Sequence, residues 1–417
     1  MKGQKMKTPY RYLLGISIGA CVGLLLKPSD SLANTLQIIV DTCLHIGHYT
    51  VFPLIFFSLP IAVTKLRRTG KLGQILRVSA YYAVISSLLL TLLGALIAWG
   101  INLGRLSVVP GTMPDIIIYD LKRTLHEIFN QNGFRVLVGE PSSLLPLLVP
   151  AFLLGWYMFY DKAIAEPAFN FFDSINRLLY RINRLLMTLM PIMVTVFTAN
   201  AFIKFKDTTA FTGFLPLLGT VFVISAFLIG GVYPLVMRAM LGRGYSWRVM
   251  AGLTGALLSA FISGSPLFNY GNLTRHLKEN INIPRHNAAL IAPLYMMFAR
   301  AGSAMLSAIC MLTVIRSYSS LEITYFQVVW IIVFSFLISF ALPANLNWGL
   351  AAALTLLCSF YGRGLDDGWQ ILVPIFPLLT MLSSLVDSAT GAIMIVLVDR
   401  RCERDKISAK YTIGVNC

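Results

Sequence analysis

The sequence predicts an all-α polytopic membrane protein, and three observations carry that expectation. Of the 417 residues, 57% are apolar and only 12% charged, about half the charged fraction of an ordinary soluble domain. The mean hydropathy is +0.73. The apolar residues fall in long uncharged runs, and a bilayer core about 30 Å thick needs roughly 20 such residues per helical span. No stretch reads as a soluble domain large enough to hide this much apolar surface.

Between Arg11 and Lys27 the run YLLGISIGACVGLLL is uncharged but short. Its basic start and the later Ser31-Leu32-Ala33 also fit a cleaved signal peptide. Lys27-Pro28 separates the apolar run from that site, so a retained, tilted first span is expected. Further spans are expected over residues 36–64, 78–103, 143–160, 178–203, 211–237 and 287–315, with 369–398 closing the series. The cleanest signal lies between Asp207 and Arg238, which enclose thirty uncharged residues. Residues 104–142, with Pro110, Pro114, Pro141 and mixed charges, form the one long polar excursion.

The formal charge is +16. Basicity of that size accompanies nucleic-acid binding in soluble proteins, but here no domain exists to carry it. The rule that cytoplasmic loops collect Lys and Arg is the better account. Lys2, Lys5, Lys7 and Arg11 form one cluster, and Lys65, Arg67, Arg68, Lys71 and Arg77 another. Arg238, Arg243 and Arg248 form a third; Arg400, Arg401, Arg404, Lys406 and Lys410 form a fourth. All four face one side if the chain makes eight full crossings and two segments enter and return. A ten-crossing count sends some loops between residues 238 and 322 to the opposite face, and charge alone leaves both counts open. Either count places both termini on the cytoplasmic side of the cell's inner (plasma) membrane. The six cysteines are scattered without a CxxC pair, so neither a disulfide framework nor a zinc site is expected.

Two apolar stretches, 249–270 and 325–361, are interrupted. LLSAFISGSPLFNYGN (257–272) contains Ser263, Gly264, Ser265, Pro266 and Asn269; FLISFALPANLNWGLAAAL (336–354) breaks at Pro343, Ala344, Asn345, Asn347 and Gly349. Irregular backbone at membrane depth is tolerated only against protein or a water-filled cavity. A pair of broken apolar segments in corresponding places is the sequence pointer to a secondary transporter's binding site. Loops between ordinary helices, with polar groups capping helix ends, are the plainer alternative.

The order of these features resembles the dicarboxylate/amino acid:cation symporter family, which includes the glutamate and aspartate transporters. Tyr49-Thr-Val-Phe-Pro53-Leu-Ile-Phe-Phe-Ser58-Leu is similar to the family's second helix, and Leu72-Gly73 followed by Tyr81-Tyr82 to the start of its third. Leu258-Ser-Ala-Phe-Ile-Ser263 matches the run into the first re-entrant hairpin. Pro293-Leu294, Gly302-Ser303-Ala304 and Cys310 keep the seventh-helix spacing, and Thr390-Gly391 resembles a pair late in the eighth. The resemblance covers nearly the whole chain. It implies eight transmembrane helices plus two re-entrant helical hairpins in the glutamate-transporter-like arrangement. Residues 1–248 would be scaffold and trimerisation helices. Residues 249–417 would be a transport core of hairpin one, helix seven, hairpin two and helix eight. A homotrimer and an elevator motion of core against scaffold are implied as well.

Departures from the family pattern bear on ions and substrate. The serine-rich tip of hairpin one is replaced by Ser265-Pro266-Leu267-Phe268-Asn269. The sodium-coordinating Asn-Met-Asp-Gly-Thr reads Ala299-Arg300-Ala301-Gly302-Ser303, with alanine at both side-chain anchors. Aligned on Thr390-Gly391, Thr380 stands where members for acidic amino acids carry the substrate-binding arginine. The same alignment puts Ser384 at the family's asparagine and Ser388 at its later aspartate, one step from Asp387.

Arg300 is the sharpest single residue, alone in an otherwise uncharged run from His286 to Ile315. A charge at mid-span costs at least about 2.5–3.5 kcal/mol on insertion scales, so it faces a cavity or a partner. It is expected to be a tethered cation where the family binds sodium, or a holder of an anionic group of the substrate. Asp387, separated by eleven uncharged residues from the next charge at Asp399, is its natural partner across a hydrated, protein-walled chamber; without a partner it would serve as a proton carrier. Ser263, Ser265, Ser303, Asn345, Thr380, Ser384, Ser388 and Thr390 complete the candidate solute and ion pathway, or else pair between helices. Asp41, His45 and His48, at i, i+4 and i+7, share one face of the second span. With no third strong ligand, a polar interhelical contact is expected there and no metal site. Arg177, Arg181 and Arg184 form a basic stripe before the fifth span.

The expected function is a secondary active, symporter-like transporter moving a small organic solute by alternating access. The resemblance adds a dicarboxylate or amino acid as solute class, and the departures add altered or absent sodium coupling. Na+ or H+ is the candidate coupling ion, and no cofactor is expected. A non-transporting membrane receptor or assembly protein on the same fold is the alternative. No GxSxG, HExxH, Walker loop or paired catalytic carboxylate appears in a plausible setting, so no enzyme is expected.

Overall fold

The structure, a computed structural model, describes residues 7–26, 30–101, 103–106, 144–160, 162–206, 211–242, 246–319, 323–341, 349–362 and 364–413. Among the described residues there is no β-strand. Most of the polar excursion at 104–142 and the whole turn around Asn345 lie outside them.

The first half holds α1 (Lys7–Leu25), α2 (Asp30–Arg68), α3 (Leu72–Gly100), α4 (Leu145–Tyr157) and α5 (Lys162–Lys206). Then comes α6 (Phe211–Phe227), which runs through a π-helical turn, Leu228–Val232, into α7 (Tyr233–Leu241). The second half holds α8 (Ser246–Ser263), α9 (Tyr270–Glu279), α10 (Arg285–Phe298) and α11 (Ala301–Tyr318). It ends with α12 (Tyr325–Ala341), α13 (Gly349–Tyr361) and α14 (Phe376–Ile413), the last entered through a 3-10 turn at Gly368–Ile375. Six helical stretches among the described residues are long and apolar enough to cross a bilayer. The stretch Arg285–Tyr318 is one of them, although its backbone breaks between α10 and α11.

The fifth helix departs most from expectation. A span was expected over 178–203, whereas α5 starts at Lys162 and runs for 45 residues, about 68 Å at the α-helical rise. Its first half is too polar to read as membrane-spanning, and tertiary contacts hold it helical. Phe172 lies 6.1 and 5.0 Å from the Phe56 and Phe57 rings of α2. Asp173 accepts from Arg177 one turn on at 2.7 Å and lies 3.6 Å from Lys65.

Contacts sort the helix ends into two groups. At one end Arg67, closing α2, donates to the Trp156 carbonyl of α4 at 2.5 Å. Its guanidinium stands 4.0, 4.6 and 4.5 Å from the Trp156, Phe159 and Tyr160 rings. Arg285, opening α10, lies over Tyr180 of α5, and Lys71 before α3 donates to the Cys402 carbonyl of α14. At the other end Arg316, closing α11, donates to the Ala98 and Trp99 carbonyls that close α3 at 3.1 and 2.9 Å. The Trp99 ring meets Tyr325, the first residue of α12.

Two antiparallel helix pairs occupy the interrupted segments. In the α8–α9 pair, Asn272 donates to the Gly255 carbonyl and to Ser259 Oγ, and Asn280 donates to the Gly252 carbonyl. The α12–α13 pair is closed at its base by Gln327, which donates to the Tyr361 hydroxyl at 2.8 Å, and by Trp330 against the Tyr361 ring. The main core joins α2, α3, α10, α11, α13 and α14. Every residue of α11 from Ala301 to Ile315 is buried, as suits a helix apolar on all sides. A separate cluster packs Phe268 with Met187, Met190, Met193 and Phe197 of α5, Val40 of α2 and Tyr12 of α1. Outward faces remain apolar: Leu14, Phe222, Val223, Phe227, Phe326 and Leu337 are exposed, the arrangement lipid requires.

Candidate functional site

The site grows from the break between α10 and α11. Ala299 (φ −130°, ψ 56°) and Arg300 (φ −82°, ψ 63°) leave helical geometry. The first amides of α11 therefore lack intrahelical acceptors. Asp387, one-third of the way along α14, supplies them. Its Oδ1 accepts from the Gly302 and Ser303 amides at 2.7 and 3.1 Å, and its Oδ2 accepts from Ser303 Oγ at 2.6 Å. A carboxylate there meets the positive end of the helix dipole as well as two orphan donors. Because the Ser303 hydroxyl gives its proton to Asp387, the 2.9 Å contact with Ser383 is donated by Ser383. Gly302 permits this approach: a Cβ there would stand 2.7–2.9 Å from Val386 Cβ, the Asp387 amide nitrogen and the Ser383 carbonyl.

Arg300 places Nε 3.9 Å from Asp387 Oδ2, and both side chains are more than nine-tenths buried. Beyond Nε, the guanidinium packs on Gly349, the first residue of α13, where a Cβ would overlap it. The turn of the α8–α9 pair arrives from the opposite direction. Gly264 (φ +63°) lies against Thr380, and Pro266 lines the same small void as Arg300, Ser303, Gly349, Thr380, Ser383, Ser384 and Asp387. The void measures about 10 Å³, the room of a single water. A wider, hydrated chamber between Arg300 and Asp387 was expected. The observed space is protein-walled but much smaller, because the α8–α9 turn and Gly349 of α13 press on it.

A family model described as the sodium:dicarboxylate symporter family matches residues 9–401. The chain belongs to that family. It is thus a symporter-type membrane transporter protein for a small-molecule solute, in a family of transporters rather than enzymes. No curated protein matches the chain.

In this symporter-family chain the expected site residues separate. Arg300, Ser303, Thr380, Ser384 and Asp387 come together around the void. Ser384 is the most suggestive of the neutral groups, since its buried Oγ has no hydrogen-bond partner among the described residues. Thr380 donates to the Pro377 carbonyl at 2.8 Å. Ser263 and Ser265 serve the turn itself: Ser263 Oγ lies 3.4 Å from the Ser265 amide, and Ser265 Oγ accepts from the Phe268 amide at 3.3 Å. Ser388 receives a 3.5 Å contact from Asn269 and lines a second small void with Arg300 and Asp387, but Asp387 and not Ser388 bonds the start of α11. Thr390 donates to the Val386 carbonyl, which makes Tyr233 the donor in the 2.6 Å Tyr233–Thr390 contact. Asn345 lies outside the described residues.

One contributor was not anticipated, and a second, Asn269, was named only as part of the interrupted segment. Tyr233 follows the π-helical turn at once, and such turns recur at functional sites; Gly230-Gly231 was its only trace in the sequence. Asn269, fully buried, accepts from Ser259 Oγ at 2.5 Å and ties the turn to α8. Away from the site, Asp41 accepts from Gln37, which accepts from Asn200 of α5, making an interhelical polar contact. Among the described residues no His, Cys, Asp and Glu cluster could hold a metal.

Proposed function

We propose that the chain is a secondary active transporter that moves a small organic solute by alternating access without dedicated sodium coordination. The observation that carries the reading is the Arg300–Asp387 pair at the helix break, where the ends of both helix pairs converge. In this reading Arg300 is a permanent, tethered cation beside the alanines that replace the family's ion ligands, and Asp387 is its counter-charge. The solute is a dicarboxylate or amino acid. It binds when the α12–α13 pair lifts from Arg300, exposing the guanidinium fork and Ser384. Proton coupling through Asp387, or exchange without a coupling ion, replaces sodium symport.

The same reading takes α1 to α5, the continuous α6–α7, α10–α11 and α14 as eight crossings and the two helix pairs as re-entrant hairpins. Residues 1–248 then form the scaffold of a homotrimer and residues 249–417 a core that moves as an elevator. The sorting of helix ends supports this count, since α2, α4 and α14 end beside the starts of α3, α5 and α10. With both termini cytoplasmic in the inner membrane, the Lys65–Lys71 cluster then also faces the cytoplasm.

Uptake into proteoliposomes of a panel of dicarboxylates and amino acids, under imposed sodium or proton gradients, tests the reading. Expected is flux that ignores the sodium gradient and is lost in Arg300→Ala and altered in Asp387→Asn. Sodium-driven flux overturns the tethered-cation reading. The small size of the void favours the other reading, a non-transporting receptor or assembly protein; absence of flux for every solute, with retained binding of a partner protein, selects it.

A further inference from the structure

The first half of α5 carries a surface that neither the solute site nor the helix packing uses. Arg177, Arg181 and Arg184 are all exposed and fall within about 60° of arc at 100° per residue. Beside them on the same helix an apolar edge is exposed: Phe171, Leu178, Ile182, Leu185, Leu189 and Ile192. Asp173 engages Arg177. Arg181 and Arg184 have no carboxylate within salt-bridge distance among the described residues.

Sequence arithmetic gives the depth of this surface. From Leu185 to Ile203 α5 is uncharged for nineteen residues, about 28 Å of helix, which matches the hydrocarbon core of a bilayer. Arg184 therefore stands at the boundary of that core, and Arg181 and Arg177 lie one and two turns further out, in the headgroup layer. Lys65 and Arg68, at the end of α2, pack on this part of α5, and Arg285 lies over Tyr180, so more positive charge gathers at the same end. Tyr157 and Tyr160 expose their rings there too, as residues of a membrane interface do. A basic edge beside an apolar edge at this depth is the chemistry of anionic-lipid recognition.

We infer that the outer face of α5 from Arg177 to Arg184 binds the phosphate headgroups of anionic phospholipids, with acyl chains lying along Leu185, Leu189 and Ile192. A second copy of the chain is the competing occupant. It would have to bring carboxylates to three clustered arginines, and the twofold excess of basic over acidic residues makes that face harder to supply than a lipid leaflet.

Native mass spectrometry of the purified full-length chain, offered phosphatidylglycerol or phosphatidylcholine, tests the inference without requiring transport. Expected is preferential retention of phosphatidylglycerol, weakened about fivefold by Arg181→Gln or Arg184→Gln and about thirtyfold by both at low salt, since each arginine near a headgroup surface contributes about 1 kcal/mol. The preference should fall as salt rises and survive Arg105→Gln at the opposite end of the molecule. Arg181→Lys with Arg184→Lys keeps the charge and most of the preference should the glutamine variants fail to fold. An unchanged preference in the double glutamine variant overturns the inference. So does equal retention of both lipids together with a change of oligomeric state, which would assign the face to a contact between copies.

Discussion

The two helix pairs that meet at the site are held in different ways. The turn of α8–α9 is fixed from within and from outside. Ser259, Asn269 and Asn272 form a buried polar network inside it. Phe268 seats among Met187, Met190, Met193 and Phe197 of α5, while Asn183 donates to the Gly271 carbonyl at 3.1 Å. The α12–α13 pair is fastened at its base by Gln327, Trp330 and Tyr361. Farther toward the site it makes a 3.3 Å contact between Ser339 and Ser87 of α3, and Gly349 rests on Arg300. Among the described residues near the candidate site, polar bonds and an aromatic plug hold the turn of one pair in place, whereas the other pair meets the site through Gly349 on the Arg300 guanidinium, with the rest of α13 packed in the main core. In the transport reading proposed above, the α12–α13 pair is the one that lifts from Arg300.

The largest test of this contrast removes the common support. Asp387→Leu leaves Arg300 buried without its counter-charge, and breaking one side of a buried pair costs about 3–5 kcal/mol. A matching fall in the thermal midpoint in detergent, smaller in the Arg300→Leu/Asp387→Leu double variant, is expected; additive losses would separate the two residues. Phe268→Ala opens a cavity in the α5 socket for about 3 kcal/mol. Hydrogen exchange should rise at residues 264–271 and stay unchanged in α12, and equal rises in both would dissolve the contrast. Trp330→Ala removes aromatic contacts of about 0.5–1.5 kcal/mol each beyond area burial, loosening α12–α13 alone, read by protease or exchange sensitivity near residues 323–334. The smallest effect belongs to Ser339→Ala, about 0.6 kcal/mol for an average interhelical hydrogen bond. Ser384→Ala should match it or fall below it in stability, since no hydrogen bond is lost, yet lower solute affinity.

Much of this arrangement was legible in the residues themselves. The interruptions at Gly264-Ser265-Pro266 and Pro343–Gly349 marked both broken segments, and an isolated Arg300 and Asp387 in uncharged runs announced a pair, because charge in a bilayer needs a reason. What those letters did not convey was how the pair is used. Asp387 caps a helix start through backbone amides, and backbone donors carry no residue identity. Ser263 and Ser265 looked like solute ligands by type, but their hydroxyls are engaged by the turn's own backbone. Tyr233 was missed because its place beside Thr390 depends on a π-helical turn, whose register shift no hydrophobic period reveals.

By itself the sequence determined that this chain is a polytopic membrane protein, that two of its apolar stretches are interrupted, and that two opposite charges stand in long apolar runs. Those follow from transfer free energies summed locally along the chain, and the solvent enforces them wherever the segments end up. Tertiary structure alone decided that a polar stretch from Lys162 would continue α5, that Asp387 rather than Ser388 would bond the start of α11, and that the space beside the charges would be the size of one water. Each of these depends on which helix presents which surface to which neighbour, and contacts between residues far apart in the chain leave no periodic mark in the order of the amino acids.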